Sequence, residues 1–245
     1  MIFVKTHATI LNEEQLWSFA NCPVQYDMAF NKKIIPKKPP MFGEHLQIVA
    51  NAFFANLMNG KILSGDELKR KWDSVCNKHP EIDSRKCIEG IGKIMLMYRW
   101  AERIQLRILD VSIPYVLLFR GKDNNELYEV ADQIQTLAVT SGNSVELLVI
   151  DWSDKHTNQV RADMNLHYTL QCYAYYMKTK NNLGIHIHNV KHSTDIYSYR
   201  GKFDYERLKT TVLNIGHSIK NGIFYPRENP MCTSCYVAGA CKSWY

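Results

Sequence analysis

Val145-Glu146-Leu147-Leu148-Val149-Ile150-Asp151-Trp152-Ser153-Asp154-Lys155 begins as a run of branched apolar side chains and ends in an acid. That is the pattern of a strand buried on both faces that carries one carboxylate to its open end. The run before it, Leu127-Tyr128-Glu129-Val130-Ala131-Asp132-Gln133-Ile134, has a similar texture and holds Asp132. If the two runs pair as neighbours, Asp132 and Asp151 converge. Two carboxylates with waters and substrate phosphates suffice to hold a hard cation such as Mg²⁺. The competing reading makes both ordinary strand-end acids.

Working outward, residues 108–119, 126–139 and 145–152 are rich in Val, Ile, Leu and Tyr, and the turn chemistry of 121–125 and 140–143 separates them. Three consecutive strands with short connections predict an antiparallel meander. Helical periodicity returns over 161–178, a strand pattern over 183–199, and a helix over 205–220. Upstream, Asn12 with Gln15 and Ser64 with Glu67 are capping-box pairs, so the first hundred residues read as mostly helical, with helices over 13–20, 24–30, 42–58, 64–77 and 83–105. This order predicts an α/β fold in one domain, a central mixed sheet flanked by helices. A helical part spans about 42–106, a core about 107–222 and a Cys-rich tail 223–245.

The 245 residues are 46% hydrophobic, enough for a full core, and 30 Lys+Arg against 24 Asp+Glu give a net charge of +6. That excess suits a polyanionic partner. Residues 31–40 add Lys32, Lys33, Lys37 and Lys38 among three prolines, an exposed basic connector. No run of about 18 uncharged apolar residues and no signal-peptide pattern occurs, so the expectation is an intracellular protein with no membrane contact. His186, His188 and His192 read as the polar side of a half-buried strand, with a metal site as the alternative.

Seven cysteines in such a protein argue for free thiols and a metal site over a disulfide framework. Cys76, Cys87 and Cys172 fall in helical patterns and read as small buried residues. Cys232, Cys235 and Cys241 are spaced C-x2-C-x5-C in a tail too short to bury a core alone, so a metal would supply folding energy. Cys22, at the Asn21-Cys22-Pro23 joint between two helices, is the candidate fourth ligand. Four thiolates suit structural zinc or an iron–sulfur cluster, and a lone distant Cys with a triplet favours a 4Fe-4S cluster tying the termini together.

Taken together these motifs resemble the RecB-like iron–sulfur branch of the PD-(D/E)XK nuclease superfamily, similar to the AddB nuclease domain and the CRISPR-associated RecB-like exonucleases. The resemblance rests on Cys22-Pro23-Val24-Gln25-Tyr26, Gly43 opening a helix with Gln47 four residues on, Ala131-Asp132, Asp151-Trp152-Ser153, the Gln171 and Tyr175 pair, and the cysteine tail. It implies a restriction-endonuclease-like core and exonuclease-type, Mg²⁺- or Mn²⁺-dependent phosphodiester hydrolysis. The substrate would be single-stranded or end-containing DNA, with the chain working in a helicase, recombination or other nucleic-acid complex. Asp132, Asp151 and Gln47 would face the metal, and Gln171 and Tyr175 the substrate.

Two positions depart from the pattern. Gln47 stands where the family has a metal-binding histidine, and Ser153 where it has the catalytic lysine, whose charge a serine hydroxyl does not replace. Lys155 shares a strand face with Asp151 and is the candidate substitute, although its Cα would lie about 13 Å away along an extended strand. The alternative keeps the fold and drops the chemistry, leaving a silent DNA-binding or structural subunit.

Overall fold

The computed structural model describes residues 8–34, 42–121, 126–140, 144–229, 232–233 and 235–241. The basic connector's Lys37 and Lys38, the turns at 122–125 and 141–143, and parts of the opening and tail segments lie outside the described residues.

The chain divides into two compact units. The first comprises Met1–Pro39, Pro114–Asp132 and Lys202–Tyr245; the second comprises Pro40–Ile113 and Gln133–Gly201. Strands β2 (Arg107–Arg120) and β3 (Leu127–Val139) run through both. Hydrogen bonding places six strands in one mixed sheet. In order these strands are β1 (Thr9–Leu11), β3, β4 (Val145–Asp151), β5 (Gly184–Asn189) and β6 (Thr194–Tyr199), with β2 also on β3. The α/β mixed sheet read from the sequence is therefore present.

In the first unit, β1 pairs parallel with β3 in the register Thr9↔Tyr128 and Leu11↔Val130. Helix α1 (Glu13–Asn21) starts at the expected capping box, with Gln15 N donating to Asn12 Oδ1 at 2.8 Å and Asn12 N donating to Gln15 Oε1 at 2.9 Å. Cys22 closes α1 in an extended conformation, and Pro23 opens the short α2 (Pro23–Tyr26), which continues as a π-helical turn, Asp27–Asn31. Tyr26 is buried against Phe19, Phe30 and Phe224. Lys32, at the start of the basic connector, is paired with Asp27 at 2.7 Å. Helix α8 (Lys202–Lys220) lies so close to β3 that a Cβ on Gly216 would overlap the Tyr128 ring.

In the second unit, β4 pairs antiparallel with β3 (Leu137↔Leu147), parallel with β5 (Glu146↔Gly184 through Asp151↔Asn189), and β5 pairs antiparallel with β6. Helices α3 (Phe42–Met58), α4 (Gly65–Lys78) and α5 (Ser84–Arg103) bury Leu46, Phe53, Phe54, Leu68, Trp72, Ile94 and Met97 with Leu148 and Ile150 of β4. The Ser64/Glu67 capping box starts α4 as expected.

Four expectations need correction. Residues 183–199 are two strands, because the buried Asn189 turns the chain by accepting from His192 N at 3.0 Å. The single helix over 161–178 is α6 (Gln159–Asp163) and α7 (Leu166–Thr179), broken where Asn165 caps α7 by accepting from Tyr168 N. Cys76 and Cys87 are joined as a disulfide between α4 and α5. His186 and His188 are not on a half-exposed face: both are buried, and Asp195 Oδ1 meets their ring nitrogens at 2.8 and 2.9 Å.

A part-buried polar network ties α7 to β3. Gln135 N donates to Gln171 Oε1 at 2.9 Å, and the side chains of Gln171 and Gln135 reach His167 Nε2 at 2.7 and 3.0 Å. Burial pushes the His167 imidazole down to about 4, so the fold holds it neutral.

Two predictions follow from this packing. A Cβ on Gly90 of α5 would overlap the Trp72 indole, whose Nε1 donates to Cys87 O, so Gly90→Ala should destabilise the protein by about 1–3 kcal/mol in urea titration. Because folding lowers the His167 value, its contribution is complete above the unfolded value near 6.5 and is lost as pH falls towards 4. The loss should amount to roughly 2–3 kcal/mol by pH 4.5, and less to the extent that the ring keeps some solvent contact. Urea midpoints at pH 7 and 4.5 should show that extra slope in the wild type and its removal in His167→Gln.

Candidate functional site

Asp151 is the last residue of β4, and its carboxylate is held by three donors. Ser153 N donates to Oδ1 at 2.9 Å, while Thr157 Oγ1 and Asn189 Nδ2 donate to Oδ2 at 2.6 and 3.0 Å. Burial would raise this carboxyl, but the hydrogen bonds from Thr157, Ser153 and Asn189 outweigh it and hold it below its ordinary value. Asp151 is therefore an anion stabilised from within its own unit.

After Asp151 the chain leaves the sheet. Ser153 Oγ donates to Lys155 O at 3.1 Å, and Asn189 Nδ2 donates to Lys155 O at 2.9 Å. These bonds fold 152–158 into a turn, so the strand alternation expected to aim Lys155 does not extend to it. Lys155 reaches the site by another route: it lines a pocket of about 240 Å³ with Asp151, Ser153, Thr157, Arg161 and Tyr168. Full positive charges on Lys155 and Arg161 outnumber the one negative charge of Asp151, and hydroxyl and amide groups share the rest of the wall with His156, Ala162 and Ile187. Burial, then the charge of Asp151, pushes the Tyr168 phenol up to about 12, so it stays a protonated donor.

The remaining expected residues are engaged in different ways. Gln47 accepts from Trp152 Nε1 at 2.9 Å and donates to Asn51 Oδ1 at 2.8 Å, which spends its amide inside the helical part and does not present it as a metal ligand. Gln171 is fully buried, its amide committed to Gln135 and His167. Tyr175, one turn on, is half-buried. Asp132 belongs to the first unit, where its charge, after burial, raises the Tyr115 phenol.

Lys93 was missed in the sequence. Spaced four residues from Glu89 on a helix, it reads as half of a surface ion pair. It is instead 8% exposed, and its Nζ donates to Trp152 O at 2.9 Å and pairs with Glu89 and Asp154 at 3.0 Å each. It grips the segment that follows Asp151. Tyr168 and Arg161 were also missed, since nothing in local spacing marks them.

In the first unit, Cys22, Cys235 and Cys241 pack together around Val24, Met28 and Val237. Asn229 Nδ2 donates to Asn21 O at 3.1 Å and Arg227 Nη1 to Ala20 O at 2.8 Å, which fasten the tail to the end of α1. Cys232 Sγ accepts from Asn229 N at 3.4 Å. All four thiols are free, and burial, then the negative charges of Cys22, Cys235 and Cys232, raise the Cys241 thiol in α9 (Ala238–Cys241). The sequence-distant Cys22 thus stands among the three tail cysteines. An all-sulfur donor set of this kind could hold a thiophilic metal or cluster.

No family model matches the sequence, and no curated protein is similar to it. Among solved structures, the chain is similar to the 2.19 Å crystal structure of a protein from Eubacterium rectale ascribed exonuclease activity, with a TM-score of 0.55 and 11% identity over 92% of this chain and 86% of that one. The crystal structure of SSO0001 covers 96% of this chain and 87% of its own at 9% identity and a TM-score of 0.45. Among the described residues, no helix is long and apolar enough to cross a membrane. The first likeness shows the fold alone.

Proposed function

We propose that this chain is a DNA-processing protein of nuclease fold that binds single-stranded DNA or a DNA end, with its hydrolytic chemistry silent. The observation that carries this reading is the pocket at the end of β4. Its carboxylate is satisfied by three internal donors, a serine stands two residues on, and Lys155 and Arg161 give the wall a net positive charge. A volume of about 240 Å³ suits one backbone phosphate and part of its sugar, not a duplex. Phosphate neutralisation by Lys and Arg supplies affinity without chemistry.

The four cysteines are proposed to hold a 4Fe-4S cluster through Cys22, Cys232, Cys235 and Cys241. Its contribution when bound would be structural, fastening the tail to the joint between α1 and α2. The Asn229 and Arg227 bonds to α1 already bring those segments together.

Binding is measured by fluorescence anisotropy of a labelled single strand over a salt series. The expected result is affinity that falls steeply with salt. The double variant Lys155→Ala/Arg161→Ala should lose roughly 10-fold in affinity and reduce the salt slope by about one to two. Asp151→Asn, which removes a negative charge from the pocket, should bind as tightly or more tightly. Strand cleavage with Mg²⁺ or Mn²⁺ that Asp151→Asn abolishes would replace the silent reading with an enzymatic one, and salt-independent or absent binding would sink both.

Anaerobically purified protein should be brown and carry about four iron and four sulfide per chain, and Cys22→Ser should lose them. Zinc at one per chain would assign the thiols to zinc instead.

A further inference from the structure

Three side chains in the second unit converge away from the pocket. His45 lies on α3, His79 caps the C-terminus of α4, and Glu81 follows in the α4–α5 connection. Their ligand atoms all lie within 4.8 Å of one another. Glu81 Oε1 stands 3.2 Å from His79 Nδ1 and 3.6 Å from His45 Nε2, and the two imidazoles are 4.3 Å apart.

We infer that His45, His79 and Glu81 form a binding site for a divalent transition-metal ion of the zinc class.

His45 is the decisive group. It is 2% exposed, and its Nε2 has no hydrogen-bond partner among the described residues; Glu81 Oε1 at 3.6 Å is beyond hydrogen-bonding distance. A buried ring nitrogen without a partner costs desolvation energy that a ligand would recover. A dication meets all three groups at once.

The distances agree with this. Two ligands about 2.0–2.1 Å from a tetrahedral ion lie roughly 3.4 Å apart, and the separations to Glu81 fall on either side of that value. Two imidazoles and a carboxylate are a zinc-type donor set that leaves a fourth position for water. The connection is also pre-set: Ile82 N donates to His79 O at 2.9 Å, and the Cys76–Cys87 disulfide brackets both ligands in sequence. The ion would fasten α3 to the α4–α5 connection.

The test uses the full chain with its cysteines intact. Cobalt(II) is titrated in, because imidazole and carboxylate ligation gives ligand-field bands without the sulfur charge-transfer bands of the thiol site. Zinc stoichiometry is measured in parallel by equilibrium dialysis. His79→Ala and Glu81→Gln alter groups outside the core, so they avoid the folding risk of replacing His45. Wild type should bind one more zinc than either variant, or bind it at least ~10-fold more tightly, and zinc should raise its Tm but not theirs. Equal zinc stoichiometry, affinity and Tm shift in wild type and both variants would overturn the assignment, as would cobalt spectra showing sulfur ligation alone.

Discussion

The contact on which the second unit depends is the pair Asp151 and Asn189, the last residues of two parallel neighbours. Asn189 is fully buried and serves both sides of the strand ends. Its Nδ2 donates to Asp151 Oδ2 and Lys155 O, and its Oδ1 accepts from His192 N. One amide therefore fixes the carboxylate, the turn that carries Lys155, and the hairpin between β5 and β6. The two strands also meet end to end through Val190 N donating to Asp151 O at 3.1 Å. Losing that amide would leave a half-buried anion short of a donor, a cost of about 1–3 kcal/mol.

Around this pair the unit is built from hydrogen-bonded polar groups as much as from apolar ones, although His186 Nδ1 has no hydrogen-bond partner among the described residues. Arg200 is 1% exposed and donates to Thr169 Oγ1, Ser198 Oγ, Tyr199 O and Ala162 O, tying β6 to α6 and α7. His186 and His188 share Asp195, burial of whose carboxyl is outweighed by their hydrogen bonds, so it is held well below its ordinary value. Their rings stack on Tyr197 and Trp100, at 4.5 and 4.0 Å. Such networks are rigid when complete and expensive when broken, which suits a scaffold that must hold a pocket wall in place.

Much of this was legible because it is local. Asn12 with Gln15 and Ser64 with Glu67 announce helix starts through two reciprocal bonds within four residues, and the branched apolar run before Asp151 announces a buried strand. The break between α6 and α7 and the turn after Asn189 were harder. Each is made by a single Asn side chain bonding the backbone three residues on, in a sequence without Gly or Pro there. Long-range pairings left no local mark. Lys93 is indistinguishable from a surface lysine until Trp152 and Asp154 are folded against it, and the Cys76–Cys87 disulfide looks like two core thiols. Cys22 was the exception, because its place at a helix joint ahead of proline set it apart from the other cysteines in helical patterns.

The same side chains that a resemblance to nucleases makes chemical are here explained by structure. Gln47 is needed to satisfy Trp152 Nε1, and Gln171 is needed to satisfy the backbone N–H of Gln135. Removing either leaves a donor in or near the core without an acceptor, so each would resist replacement even in a protein that cleaves nothing. Asp151 follows the same logic through Ser153, Thr157 and Asn189. Their presence therefore does not count as evidence for hydrolysis. What the structural role leaves unexplained is the pair of cations, Lys155 and Arg161, turned towards one pocket whose carboxylate already has its donors. Among the described residues no ion pair engages either side chain, and under the proposed function a phosphate would be their counter-charge. The proposed binding role accounts for both sets of residues at once, whereas a catalytic role would need Lys155 to supply the charge that Ser153 lacks and Asp151 to turn from its internal donors to a metal.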